Sequence, residues 1–148
     1  MRLSLLARSA VAVAAAAATA LGLYAIDEAR ASEPAPLGPG LVTVDLGIHY
    51  SEFSFDELHV RKGTTVQFMV RNDDPIFHEL VVGDAAVHAR HQTGTEKSHP
   101  PVPGEVTVKP NDVGTTFYEF ERAGRYEFAC HLPGHYGFGM KGYVTVVE

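Results

Sequence analysis

Cysteine is all but absent from this chain: Cys130 is the single one among 148 residues, and there is no Trp. One thiol excludes a disulfide scaffold, a four-thiolate zinc site, an iron–sulfur cluster and any two-thiolate copper centre. Positive charge is also scarce. Twelve Lys and Arg stand against eighteen Asp and Glu, a formal net charge of −6 without a basic run, so neither nucleic acid nor an anionic membrane surface is an expected partner. No helical periodicity of useful length is found in the body of the chain, and no internal repeat. What is present is the 45% apolar, 20% charged make-up of one ordinary globular domain. Eight His is a high count for this length, and it is the first pointer to metal.

The first thirty-odd residues differ from the rest. Behind Arg2 and Arg8, Ser9 to Ile26 runs apolar and Ala-rich without a charge, and Ala29-Arg30-Ala31 puts small residues where a signal peptidase reads. This predicts a signal peptide over residues 1–31; the other reading of the run is a leader kept as a membrane anchor. With Cys130 the only thiol, an N-terminal lipid on cysteine is excluded. Cleavage leaves 117 residues with nine bases and sixteen acids, a net −7, expected as a periplasmic or extracellular monomer without membrane insertion. A domain of this size buries roughly 65% of its unfolded surface, enough for a core without disulfides. An exported protein with one unpaired thiol pairs it with another chain, leaves it idle in the core, or binds something with it.

Residues 32–40 (SEPAPLGPG) are Pro/Gly-rich and read as a flexible linker. From 41 to 148 short alternating segments follow one another, each bounded by turn residues. Val42, Val44, Leu46 and Ile48 share one parity; Leu58 and Val60, then Val66, Phe68 and Val70, repeat the pattern ahead of the turn Asn72-Asp73-Asp74-Pro75. Further strands are expected over Phe77–Val82, around Val106 and Val108, at Tyr118 and Phe120, at Tyr126 and Phe128, and over Lys141–Val147. Period-2 alternation at this spacing predicts an all-β, two-sheet sandwich. Gly83 to Gly104 lacks the pattern and carries His88, His91 and His99, so it reads as a long loop or small subdomain.

The chemistry gathers at residues 130–140, C-H-L-P-G-H-Y-G-F-G-M. Cys130 ends a strand with the inward parity of Tyr126 and Phe128. Pro133-Gly134 turns the chain before His135, and Gly137 and Gly139 allow a bend back to Met140. A thiolate, an imidazole and a thioether thus converge on one loop, and His78, with the parity of Leu80 and Val82, is the best candidate for a fourth donor. One thiolate, two imidazoles and a weak thioether suit copper cycling between its two oxidation states. Each residue also has a plainer reading: an inert buried thiol for Cys130, core filler for Met140, a satisfied core histidine for His78. Their combined spacing is what argues against coincidence.

The pattern Cys-x4-His-x4-Met, with a His about fifty residues upstream on a strand, resembles the type 1 (blue) copper site of the cupredoxins. The x4/x4 spacing is similar to the rusticyanin and auracyanin type. The tail G-x-x-E-F-x-C…H…G-M-x-G-x-V-x-V carries the resemblance, which extends over about residues 41–148. It implies a Greek-key β-sandwich, one copper per chain held by His78, Cys130, His135 and Met140, and single-electron transfer between redox partners rather than enzymatic turnover.

Two rivals remain. A multicopper oxidase of this family carries His-Cys-His, whereas this chain has Ala129-Cys130-His131 and lacks any His-x-His pair, and a copper nitrite reductase subunit would need a second such domain where the 117 residues expected after cleavage hold one. A copper-binding or delivery protein would carry the ion and not the electron. His88-x-x-His91 is spaced to chelate an ion if locally helical, but the segment reads more simply as a solvated loop; His49, His59 and His131 read as outward-facing and Met69 as core filler. With few Met and His clusters, the chain reads as an electron carrier. Its expected partners are cytochromes or oxidases docking on the apolar residues Leu132, Pro133, Tyr136 and Phe138 around His135.

Overall fold

The alternating segments sort into two facing sheets. The computed structural model describes residues 34–93 and 102–148, so the leader over 1–31 and His99 lie outside the described residues. The strands are β1 (Gly40–His49), β2 (Glu52–Phe53), β3 (Glu57–Arg61), β4 (Thr64–Asn72), β5 (His78–Gly83), β6 (Glu105–Val108), β7 (Val113–Phe120), β8 (Gly124–Ala129) and β9 (Lys141–Val147). One sheet has the order β2-β1-β4-β7 and the other β3-β9-β8-β5-β6. β1 runs parallel to β4 and β3 parallel to β9; the other pairings are antiparallel.

The parity expected from the sequence holds. Leu46, Ile48, Phe68 and Val70 from the first sheet meet Leu80, Phe128 and Val144 from the second in one buried cluster. Phe128 is central, with Phe53 and Phe55 edge-on to it at 5.4 and 5.7 Å between ring centroids. Its cross-strand partner is Gly142, which leaves the space that the Phe128 ring fills.

Three expectations are corrected. The stretch 83–104 is not all loop: Ala85–Thr93 forms a helix, α1. Asp84 caps it, its Oδ1 accepting from the N–H groups of Ala86 (3.0 Å) and Val87 (3.1 Å), and Arg90 and His91 sit in the last turn where the helix dipole favours them. Nine residues are too few for a clear 3.6-residue period. Met69 is not core filler, because the alternation of β4 puts it on the outer face, where its sulfur accepts from Thr115 Oγ1 at 3.5 Å. Part of the Pro/Gly-rich start is tied down: Leu37 bridges to Val60, its N–H donating to His59 O at 2.9 Å.

α1 lies against the outer face of the second sheet, over β5 and β8. The contact depends on Gly83, where a Cβ would stand 2.8 Å from Val87. The same sheet brings the chemistry together, since β5 starts at His78, β8 ends just before Cys130, and β9 starts just after Met140. At Gly142 a Cβ would lie 2.6 Å from the Asp56 carbonyl oxygen as well as inside the Phe128 ring. Gly142→Ala is therefore expected to destabilise the fold by about 1–3 kcal/mol through overpacking, checked by thermal unfolding; an unchanged midpoint would show that Phe128 can repack.

Candidate metal centre

His78, Cys130 and His135 converge, and each offers a donor atom within 4.8 Å of those of the other two. Cys130 Sγ lies 3.2 Å from His135 Nδ1, and the rings of His78 and His135 are 4.8 Å apart between centroids. His78 and Cys130 are fully buried and His135 is half-buried. The loop that carries Cys130 and His135 is wound by its own backbone: His135 N–H donates to Leu132 O at 3.0 Å and Phe138 N–H to Gly134 O at 3.0 Å. Gly134 and Gly139, at φ of 90° and 98°, occupy left-handed positions that a side chain would resist. Met140 closes the loop and is buried. Its N–H donates to His135 O and its carbonyl accepts from Cys130 N–H, both at 3.1 Å.

The tautomer of His78 follows from its partner. Its Nε2 lies 2.9 Å from Asp74 Oδ2, and an ionised carboxylate can only accept, so Nε2 carries the proton and Nδ1 is a bare lone pair. That Nδ1 is buried without a hydrogen-bond partner. An orphaned buried acceptor costs about 1–3 kcal/mol, and a metal ion among the three donors would satisfy it. The donor set of one sulfur and two imidazole nitrogens, dry and preassembled, fits copper.

Asp74 is the residue that sequence reading missed, having been taken only as part of a turn. It accepts from the N–H groups of Tyr50 and Ser51, both at 2.7 Å, as well as from His78. Tyr50 and Ser51 sit at φ of 54° and 58°, a left-handed conformation costing about 1–2 kcal/mol per residue that the charge-assisted bonds to Asp74 offset. Asn72 holds the turn from inside: Oδ1 accepts from Asp74 N–H at 3.0 Å, and Nδ2 donates to Ile76 O at 2.8 Å and Lys109 O at 2.9 Å. The available signal was a carboxylate four residues ahead of a candidate ligand histidine.

The charge states suit metal uptake. Burial opposes ionisation of Asp74, but the N–H groups of Ser51 and Tyr50 and the His78 ring outweigh it and hold its pKa below the ordinary value. Burial lowers the pKa of His78, against the pull of Asp74, and the nearby His135 ring lowers it further. Burial also lowers that of His135, against the charges of Glu79 and Asp74. Both rings are thus neutral, with lone pairs available, at physiological pH. Cys130 is different. Burial pushes its thiol up to about 12, against two backbone N–H groups, those of Glu79 and Leu132.

His131 departs from expectation in its surroundings. Its parity is opposite to Cys130, as predicted, yet it is half-buried, because α1 lies over that side. It stacks on Tyr136 at 4.9 Å between centroids, and its Nε2 lies 2.9 Å from His88 Nδ1. Burial and the neighbouring His88 and His91 push its pKa down to about 4. Tyr136, expected beside His135, therefore packs on His131, while Phe138 is 91% exposed. His49 is exposed, and His59 is half-buried at 3.7 Å from Glu57.

Two outcomes follow from these groups. Because Cys130 is protonated and both histidines are neutral, copper uptake at pH 7 should release one proton per ion, so the affinity should rise about tenfold per pH unit below the thiol pKa. A dye-monitored titration in weak buffer checks this; release of none, or of two, contradicts it. Asp74→Asn removes the charge that makes His78 a stronger donor, and should weaken copper binding by about 10–100-fold and raise the reduction potential. Competition titration and voltammetry would detect both, and an unchanged affinity would make Asp74 purely a turn residue.

Comparison with known proteins agrees with the geometry. Residues 42–147 match the family of copper binding proteins of the plastocyanin/azurin type. The copper-resistant cuproprotein CopI of Pseudomonas aeruginosa is 32% identical over 137 residues, covering 71% of this chain and 75% of its own. The protein of that name from Rubrivivax gelatinosus is 39% identical over 90 residues, and the chain spans about half of its length (54%). In fold, reduced auracyanin from Roseiflexus castenholzii superposes with a TM-score of 0.61 at 21% identity, covering 75% of this chain and 98% of that one. Matched over nearly all of its sandwich, and with one thiol and two imidazoles converging at the end of one sheet, this chain belongs to the plastocyanin/azurin family of copper-binding proteins.

Proposed function

We propose that the protein is an exported copper-handling protein that binds one copper ion in a type 1 centre and keeps it from reacting elsewhere or passes it on. In this reading His78, Cys130 and His135 are the strong ligands and Met140 the weak axial one, and no substrate is turned over. The observation that carries it is the convergence of buried Cys130 and His78 with half-buried His135, together with an unsatisfied Nδ1 on His78. Support for handling over electron transport comes from the relatives, which are named for copper resistance. Bound there, copper would be polarised by the Cys130 thiolate and oriented by the two imidazoles. The chain's own contribution is to exclude water, hold both rings neutral, and give up the thiol proton.

Electron shuttling, expected from the sequence, is the second reading, and one observation favours it. Phe138, almost fully exposed, lies three residues beyond half-buried His135, and Phe77, beside His78, is also exposed. Apolar groups flanking a ligand edge suit brief docking of a cytochrome or an oxidase, since such encounters are small and weak.

Deleting the gene and restoring it in altered form separates the readings. Loss of growth at raised copper, rescued by the native protein and not by Cys130→Ser, is the expected result, and purified Cys130→Ser should lack the intense visible band of a copper–thiolate. Rescue by Cys130→Ser would sink the proposal. Normal copper tolerance in the deletion strain together with slowed respiratory electron flow would transfer the assignment to the shuttle.

A further inference from the structure

On the side facing away from Cys130, the loop residue His131 meets two histidines of α1, and the copper centre uses none of the three. His88, on the sheet-facing side of α1 and buried there, donates through Nε2 to the Glu127 carbonyl at 3.0 Å. A carbonyl only accepts, so His88 Nδ1 is a lone pair, and it lies 2.9 Å from His131 Nε2. His131 must then carry its proton on Nε2, which leaves its Nδ1 bare, and that atom is buried without a partner. The chain of donation ends on a buried Lewis base. His91, one turn along α1 from His88, stacks its ring against His131 at 5.9 Å between centroids, and its Nε2 lies 3.2 Å from Glu105 Oε2.

We infer that His88 and His131, with His91 beside them, form a second metal site, one that takes a borderline divalent transition ion. The ion sits between His88 Nδ1 and His131 Nε2 in place of the shared proton, which leaves as H⁺ or moves to His131 Nδ1. Metal–imidazole bonds are about 2.0–2.1 Å long, so adjacent nitrogens of a tetragonal Cu(II) set stand about 2.9 Å apart and those of a tetrahedral Zn(II) about 3.3 Å; the 2.9 Å observed suits the first. The site has no thiolate, and on nitrogen donors Cu(II) binds ahead of Zn(II). His88-x-x-His91 has the spacing of a chelating pair on one helical face, and α1 supplies the helix that this spacing requires. The site is chemically distinct from the cysteine centre. His131 follows Cys130 in the chain but points to the opposite side of the sheet, so each ion has its own ligands.

The test uses the full chain with one equivalent of copper already in the cysteine centre, titrated with a second equivalent of Cu(II) and, separately, with Zn(II). The expected result is a second Cu(II) with a wide-hyperfine, tetragonal EPR signal, at least two coordinated imidazoles by electron spin-echo modulation, and an unchanged blue band. Zn(II) should bind more weakly at the same place. His88→Gln and His131→Phe, the latter keeping a ring on Tyr136, should each weaken the second ion by more than the roughly 100-fold that loss of an outer-shell partner costs, with the blue band as the check on folding. Saturation at one copper overturns the inference. So does a second ion that binds the variants as tightly as the native chain, or an echo signal with fewer than two imidazoles, which needs no variant. None of these results depends on the cell's copper tolerance, so this inference and the proposed function fail separately.

Discussion

The hydrogen bond from His78 to Asp74 governs the metal centre, because it decides which nitrogen of a buried ring is left bare. A neutral imidazole has one donor and one acceptor nitrogen; with Nε2 held by a carboxylate, Nδ1 points at Cys130 and His135 with no other use. Asp74 can do this only because it is charged, and it stays charged at low exposure because Tyr50 and Ser51 turn two backbone N–H groups on it. The two left-handed residues, the buried Asn72 and the Asp74–His78 pair therefore form one unit. Loosening any part would let the His78 ring turn and remove the preformed pocket.

On that foundation the two sheets place donors from distant parts of the chain. β5 and β8 are antiparallel neighbours, so the start of one lies beside the end of the other, and Cys130 comes to the level of His78 across 52 positions of sequence. β8 and β9 are neighbours as well, which makes the 130–140 loop a closed excursion whose two ends are hydrogen-bonded to each other. The loop then needs only its glycines and its internal turns to hold His135 near the surface. Burial makes the thiol a poor acid and both rings poor bases, so the three donors are neutral and Asp74 stands charged behind them.

The sheet that builds the copper centre also has an outer face, and there it does not end in solvent. A capped helix of nine residues covers β5 and β8 and encloses a polar layer of His88, His131, Glu127 and Glu79. Glu79 accepts from the His131 N–H at 2.8 Å, tying β5 to the loop from the side opposite the copper. The two faces at Cys130-His131 are therefore different chemical environments one residue apart: sulfur and imidazole inward, imidazole and carboxylate outward.

Local patterning set the sandwich, since strand parity needs no distant contact: alternating Val, Phe and Leu can bury only one face of each strand. It also pointed to the three donors that converge, because Cys130 and His135 lie on one short loop whose glycines and proline force it to turn, and His78 has the parity of a core residue. Contacts between elements that share no periodicity arise only once the chain is folded. Asp74 reads as turn punctuation until β1 brings the Tyr50-Ser51 backbone against it. His131 reads as outward-facing, correctly by parity, until α1 closes over it, and α1 itself is set by the Asp84 cap and the bare backbone at Gly83 rather than by a pattern long enough to detect. Met69 is a different case: the parity of Val66, Phe68 and Val70 already put it on the outer face of β4, and only its apolar character suggested the core. Parity says which side of a sheet a side chain takes; whether that side is dry depends on what the rest of the chain lays over it.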